Sequence, residues 1–195
     1  MLVEPVTLEG RHIRLEPLAE AHAADLFEAG RDPEIWPYMA YGPFQSREAF
    51  DDYLASAIAP TLAGREVAFA IVHLASNRAI GSTRYMTIEP AHHGLEIGHT
   101  WLDPRHWRTP ANTECKYLLL RHAFETLGAI RVQLKTDSRN VRSQAAISRL
   151  GAVREGVLRK HMIVKNGHHR DSAMFSITVD EWPRVKAGLE EMLGR

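Results

Sequence analysis

Two stretches bring a strand-like run to a polar turn and then straight into a helix: LEIGHTWLDPRHWRTPANTECKYLLLRHAFETLG from Leu95 and KTDSRNVRSQAAISRLGAVREGVLR from Lys135. A helix N-terminus carries unpaired N–H groups and partial positive charge, which is the chemistry that holds phosphate. Arg108 and Thr109 at the first junction add a cation and a hydroxyl. Other chemistries lack their signatures. There is no Gly-x-Ser-x-Gly elbow, no Walker-type Gly-x-x-x-x-Gly-Lys and no Gly-x-Gly-x-x-Gly. Cys115 recurs with Leu119, Ala123 and Leu127 on an apolar stripe, so it reads as a packed thiol and not as a nucleophile. His92-His93 and His168-His169 sit in turn-like segments without an Asp or Cys at ligand spacing, so solvated histidines are expected there and no metal site.

The elements that must position these junctions follow from periodicity. HIRLEPL (12–18) alternates as a half-buried strand, and AHAADLFEAG reads as a short helix stopped by Gly30. The segment PEIWPYMAYGPF is too rich in Pro and Gly for regular structure but gathers Trp36, Tyr38, Met39, Tyr41 and Phe44, either as a cap on the core or as a pocket wall. From Ser46 as N-cap, Phe50, Tyr53, Leu54, Ile58 and Leu62 mark an amphipathic helix that Pro60 should kink or shorten. VAFAIVHLA, AIGSTRYMTIE and LEIGHTWLD then follow without a helix between them and predict an antiparallel meander. The remainder reads as a helix over TECKYLLLRHAFETLG, a strand RVQLKTDS, a helix capped by Asn140 and stopped by Gly151, a hairpin turning at Asn166-Gly167, and a terminal helix EWPRVKAGLEEML. This order is α+β with a mostly antiparallel sheet, not the strict alternation of a doubly wound fold.

Composition narrows the partners. The 195 residues carry 24 Lys plus Arg against 24 Asp plus Glu, so no basic excess drives nucleic-acid binding. The 11 His add charge only as pH falls toward ~6.5. A single cysteine makes no internal disulfide and fits a reducing, cytoplasmic setting. No run approaches the ~20 apolar residues of a membrane helix, and Glu4 and Glu9 stand where a secretory leader would be apolar, so no membrane association is expected. One domain over 1–195 is the economical reading.

At the two junctions the chain resembles the GNAT superfamily of acetyl-CoA-dependent N-acetyltransferases, and within it the ribosomal-protein N-terminal acetyltransferases. The resemblance runs over nearly the whole length: LEGRHIRLEPL at the start, Glu96-Ile97-Gly98, Trp107 to Glu114 opening the central helix, Asn140 and Ser143 opening the next, then Leu150-Gly151-Ala152, Glu155-Gly156 and Leu158-Arg159. It implies a mixed, mostly antiparallel sheet flanked by helices and splayed between its fourth and fifth strands to admit the pantetheine arm. It also implies a pyrophosphate cradle over Trp107, Arg108, Thr109, Ala111, Asn112 and Thr113, with pantetheine beside Trp101 and Leu102. The family's glycine-rich turn is here Arg108-Thr109-Pro110-Ala111-Asn112, and Pro110 has no N–H, so one amide contact must be lost or replaced by Arg108, Thr109 or Asn112.

The chemistry then sets requirements. An amine attacks a thioester only when neutral, and amines titrate near ~8 at a chain terminus and ~10 in lysine, so a base must act. Glu96 is the candidate, directly or through water; otherwise it is a strand carboxylate paired with a nearby Arg. A bulge between Glu96 and Leu102 could present a backbone N–H to the carbonyl oxygen; the stretch from Glu96 to Trp107 is one residue longer than in many relatives. Many relatives place a tyrosine on the helix after the fifth strand. Here Ser143 is the hydroxyl in its first turn, and by resemblance it bonds the leaving thiolate, or else supports the cap. Asn140 bonds pantetheine or serves only as N-cap. An acceptor pocket is expected from Trp36, Tyr38, Tyr41, Tyr85, His99 and His161, or these are packing and surface. The reading is acetyl transfer from acetyl-CoA to a primary amine, a peptide N-terminus or a small molecule, without an acyl-enzyme; the resemblance makes a homodimer possible, and the sequence carries no interface signature for one. The alternatives are another donor such as succinyl-CoA, and a silent CoA-binding regulatory module.

Overall fold

The computed structural model describes residues 1–195. Eight strands form one sheet: β1 (Leu8–Glu9), β2 (Ile13–Pro17), β3 (Val67–His73), β4 (Arg78–Glu89), β5 (Gly94–Leu102), β6 (Arg131–Asp137), β7 (Val153–Ile163) and β8 (His169–Thr178). Their order is β1-β2-β3-β4-β5-β6-β8-β7, with β5–β6 parallel and every other neighbouring pair antiparallel. The two-residue β1 shifts the count, so the expected fourth and fifth strands are β5 and β6.

The helices are α1 (Ala23–Ala29), α2 (Arg47–Leu62), α3 (Pro110–Arg121), α4 (Val141–Arg149) and α5 (Trp182–Met192). Strand β3 shows how they divide. Phe69 and Ile71 pack in one core with Leu118 and Leu119 of α3, Ile147 of α4 and Leu189 of α5, while Ala68, Ala70 and Val72 pack in a second core with Leu26 of α1 and Phe50 and Leu54 of α2. Both faces of β3 are therefore buried, which is why VAFAIVH is an unbroken apolar run. No helix is long and apolar enough to cross a membrane.

The local signals act as their chemistry requires. Ser46 Oγ accepts from Ala49 N at 3.2 Å and Asn140 Oδ1 from Ser143 N at 3.0 Å, capping α2 and α4. Asn166 and Gly167, both at positive φ, turn β7 into β8. Two expectations shift. Helix α2 continues past Pro60 to Leu62. Helix α3 begins at Pro110, three residues before the predicted Thr113, because proline is tolerated at the first helical position, where an N–H has no helical acceptor.

Candidate active site

The site begins where β5 and β6 part. Their ladder holds only Gly94 to Arg131, Leu95 to Val132 and Glu96 to Gln133; β5 then runs on to Leu102 and β6 to Asp137 with no pairing between them. One edge of β5 thus has no strand partner past Glu96, and an unpaired edge of that kind calls for a partner.

Along this edge β5 bulges. Ser82 pairs with Trp101 and Arg84 with Gly98, so β5 spends one more residue than β4, and His99 takes φ 49°. The bulge reverses the alternation. Ile97 and Trp101, four apart, would share a face of a regular strand, yet Ile97 lies in the α3 core and Trp101 in the α2 core. The bulge predicted between Glu96 and Leu102 is present, and it aims His99 at Tyr41, whose hydroxyl lies 2.6 Å from His99 Nδ1.

Glu96 lies at the fork. It is 1% exposed, and its Oε2 accepts from Gln133 Nε2 and Lys135 Nζ, each at 2.9 Å. Oε1 makes no hydrogen bond within the protein. A side chain on Gly98 would place its Cβ 2.6 Å from Met86 Sδ and 2.9 Å from that oxygen, so the close packing of Met86 and Glu96 requires the Gly of Glu-Ile-Gly. The helix starts close the other end of the fork. Arg142 of α4 lies 3.8 Å over the Trp107 ring, and Arg149 donates to Thr113 Oγ1 at 3.0 Å. The N-termini of α3 and α4, the second bringing Arg142 over Trp107, therefore follow the two parted strands, an electrostatic setting for a diphosphate.

A model of the acetyltransferase (GNAT) domain matches residues 12–153. This chain belongs to the GNAT acetyltransferase family. It is 32% identical, with a TM-score of 0.93, to a GCN5-related N-acetyltransferase from Brucella melitensis, over 99% of this chain and 87% of that one. An uncharacterized N-acetyltransferase, YoaA of Bacillus subtilis, is 24% identical over 87% of this chain and 95% of its own. The fold is shared with Mycobacterium smegmatis RimJ in complex with CoA-disulfide, at a TM-score of 0.82, 20% identity, and 98% and 96% coverage. As a GNAT enzyme the chain is an acyl-CoA-dependent acetyltransferase.

Within the GNAT frame the expected residues separate. The Trp101 and Leu102 side chains are buried in the two cores, with Trp101 Nε1 donating to Tyr53 Oη at 2.9 Å, so only their backbone can face the gap. Trp107 braces the turn through Nε1 to Leu102 O at 3.0 Å. Thr109 is committed to the α3 cap, accepting from Ala111 N at 3.3 Å and donating to His106 O at 2.8 Å. Ala111 and Thr113 are buried, Asn112 is half-buried, and Arg108 is exposed at φ 61°. Asn140 spends Oδ1 on its cap, whereas Ser143 is half-buried and its Oγ has no partner in the protein.

The acceptor set needs two corrections. Tyr85 does not wall a pocket: it is wholly buried under α3, donates to Leu119 O at 2.5 Å, and faces away from Glu96. Trp36 is 1% exposed, donates to Gly30 O at 2.7 Å, and supports Tyr41 from behind at 5.7 Å between rings. Tyr38 lies beside α4, with Arg139 over its ring at 5.7 Å, in a cavity of about 440 Å³ that also touches Asn140 and Arg142. Tyr41 and His99 do meet, and Lys165 of the β7–β8 turn donates to Tyr41 O at 2.7 Å and to Gly42 O, roofing this side. His161, exposed on β7, feels Lys135, Arg170 and Glu96; partial burial and the two cations hold its pKa below the usual imidazole value. Burial, with Arg84 and Lys135 near, takes His99 down to about 4, so its imidazole is neutral at neutral pH.

Gln133, Lys135, Arg84 and Arg170 escaped the sequence reading. The first two carry a signal, since in RVQLKTD polar residues alternate with Val132 and Leu134. Their convergence on Glu96 depends on a parallel pairing that local pattern does not contain.

Proposed function

We propose that the enzyme acetylates a primary amine by direct attack within a complex holding both acetyl-CoA and acceptor. Bound acetyl-CoA supplies an electrophilic thioester carbonyl and a thiolate leaving group. The opening of β5 from β6 immediately past Glu96 carries this reading, because it leaves an unpaired strand edge beside a buried carboxylate, with α3 and α4 following the two parted strands.

Glu96 Oε1 takes the proton from the attacking amine, directly or through one water, while Gln133 and Lys135 hold Oε2 and fix the carboxylate plane. As the new N–C bond forms and the C–S bond breaks, the bulged backbone at His99 offers an N–H to the carbonyl oxygen. The unpartnered Ser143 Oγ donates to the departing sulfur, and solvent restores its proton. Trp107, Arg108, Ala111, Asn112 and Thr113 shape the phosphate turn with Arg142 beside it, and Asn140 keeps Nδ2 for pantetheine. Cys115 takes no part: it is 0% exposed and burial pushes its thiol up to about 11.

A thermal-shift titration tests the donor. Acetyl-CoA at a hundredfold over its dissociation constant should add about 2.7 kcal/mol to stability. No shift with acetyl-CoA, or an equal or larger shift with succinyl-CoA accompanied by succinyl transfer, would overturn the acetyl assignment.

A further inference from the structure

The face of β6 and β8 that carries Glu96's partners has no helix over it, and one of its cations holds nothing. Register sets Gln133 opposite Ser176 and Asp137 opposite Ser172, so Lys135 and Asp137 of β6 share this face with Arg170 and Ser172 of β8. The other charges there are matched. Lys135 meets Glu96 at 2.9 Å, Arg139 meets Asp137 at 2.7 Å, and Arg131 meets Glu155 at 2.5 Å.

Arg170 makes neither a hydrogen bond nor an ion pair. Its Nε is buried without an acceptor, and so is Oγ of Ser172, two residues along the same face. Glu96 and Asp137 both act on it through space, yet neither comes into contact, and burial pushes its pKa down. Arg84, opposite Gly98 on the other flank of Glu96, likewise keeps Nε buried and unpartnered while its Nη1 donates to Glu66 at 3.0 Å. Buried donors are nearly always satisfied, so unsatisfied ones clustered beside an ion-paired carboxylate mark the place of a missing acceptor. A guanidinium is a planar fork whose natural counterpart is a carboxylate.

Building on the assignment of Glu96 as base, we infer that the acceptor is a primary amine carrying a carboxylate on the same molecule, with its amine at Glu96 Oε1 and its carboxylate on the Arg170 guanidinium. Two sources share that chemistry: a free amino acid, and an acidic side chain near the N-terminus of a polypeptide.

The test compares matched probes by two readouts, calorimetric binding to the CoA-saturated protein and acetylation from acetyl-CoA. One arm sets free α-amino acids against their carboxamides. The other sets C-terminally amidated tetrapeptides with Asp at the second position against the same peptides with Asn. The wild-type protein is expected to prefer the carboxylate at least about tenfold in one arm, and that arm identifies the source. Arg170→Gln should abolish the preference for acid over amide while leaving the acetyl-CoA thermal shift as in wild type. Arg170→Lys, which keeps the charge and loses the fork, should restore part of it. Equal binding of acid and amide by the wild-type protein in both arms overturns the inference, whether or not the Arg170→Gln variant folds. A binding preference without acetylation of any probe would leave the carboxylate site standing and remove the proposed transfer; acetylation without preference would do the reverse.

Discussion

The two faces of the sheet treat buried polar groups in opposite ways. Under α3 every demanding group finds a partner. Glu114, 0% exposed, accepts from Arg11 N at 2.9 Å, His12 N at 2.7 Å and Ile13 N at 2.9 Å and also from Arg195, which ties the first strands and the C-terminus to the central helix. Lys116, buried beside it, donates to Thr100 Oγ1 at 2.5 Å, and Tyr85 donates to Leu119 O. On the opposite face Ser82 Oγ, Arg84 Nε, Arg170 Nε and Ser172 Oγ are buried with no partner at all. Each such orphan costs about 1–3 kcal/mol. A chain that satisfies three amides with one carboxylate on one side does not leave donors idle on the other for want of means; the unsatisfied face is the one that a substrate completes.

Isosteric changes at the two buried carboxylates sharpen the contrast most. Glu96→Gln removes the proton acceptor but keeps the shape. Turnover with the amine below saturation should fall about 10²–10⁴-fold, with the acetyl-CoA thermal shift unchanged. Unaltered turnover would take Glu96 out of the mechanism. Glu114→Gln places an amide where three backbone N–H groups and Arg195 need an anion. It should cost about 3–5 kcal/mol in denaturant unfolding. Should the effects be exchanged, with Glu114→Gln silent in stability and slow in turnover, the division between a packing face and a reacting face would collapse.

How much of this the sequence disclosed depends on the range of the signal. Caps and turns act over three or four residues, so Ser46, Asn140 and Asn166-Gly167 were readable, and so was the bulge, because a family spacing exposed one additional residue after Glu96. Facing directions were harder. All of β4 from Ala79 to Tyr85 is buried, so alternation there does not say which face a residue takes, and only the register places Tyr85 under α3 and out of an acceptor pocket. Trp36 lies in a loop without any period, and only tertiary contacts with Gly30 and Tyr41 reveal it as a support. Arg170 was invisible for a different reason: the absence of a partner is a property of the assembled sheet and not of any local pattern.

The smallest expected effect probes the reacting face through pH. In the unfolded chain the His99 imidazole titrates near ~6.5, whereas burial beside Arg84 and Lys135 brings it to about 4 in the folded protein. The folded pKa is depressed, so the unfolded state binds a proton that the folded state refuses. His99 therefore contributes its full stability above about 6.5 and loses it as pH falls toward 4; the separation of the two values corresponds to roughly 3 kcal/mol. Other groups titrate in the same interval, and a difference measurement isolates this one. The unfolding free energy of wild type minus that of His99→Asn should drop by roughly that amount between pH 7 and pH 4 and level off below. Parallel curves for the two proteins would mean that His99 is hydrated and free to charge, and the neutral imidazole that Tyr41 holds at the bulge would not be part of the acceptor side.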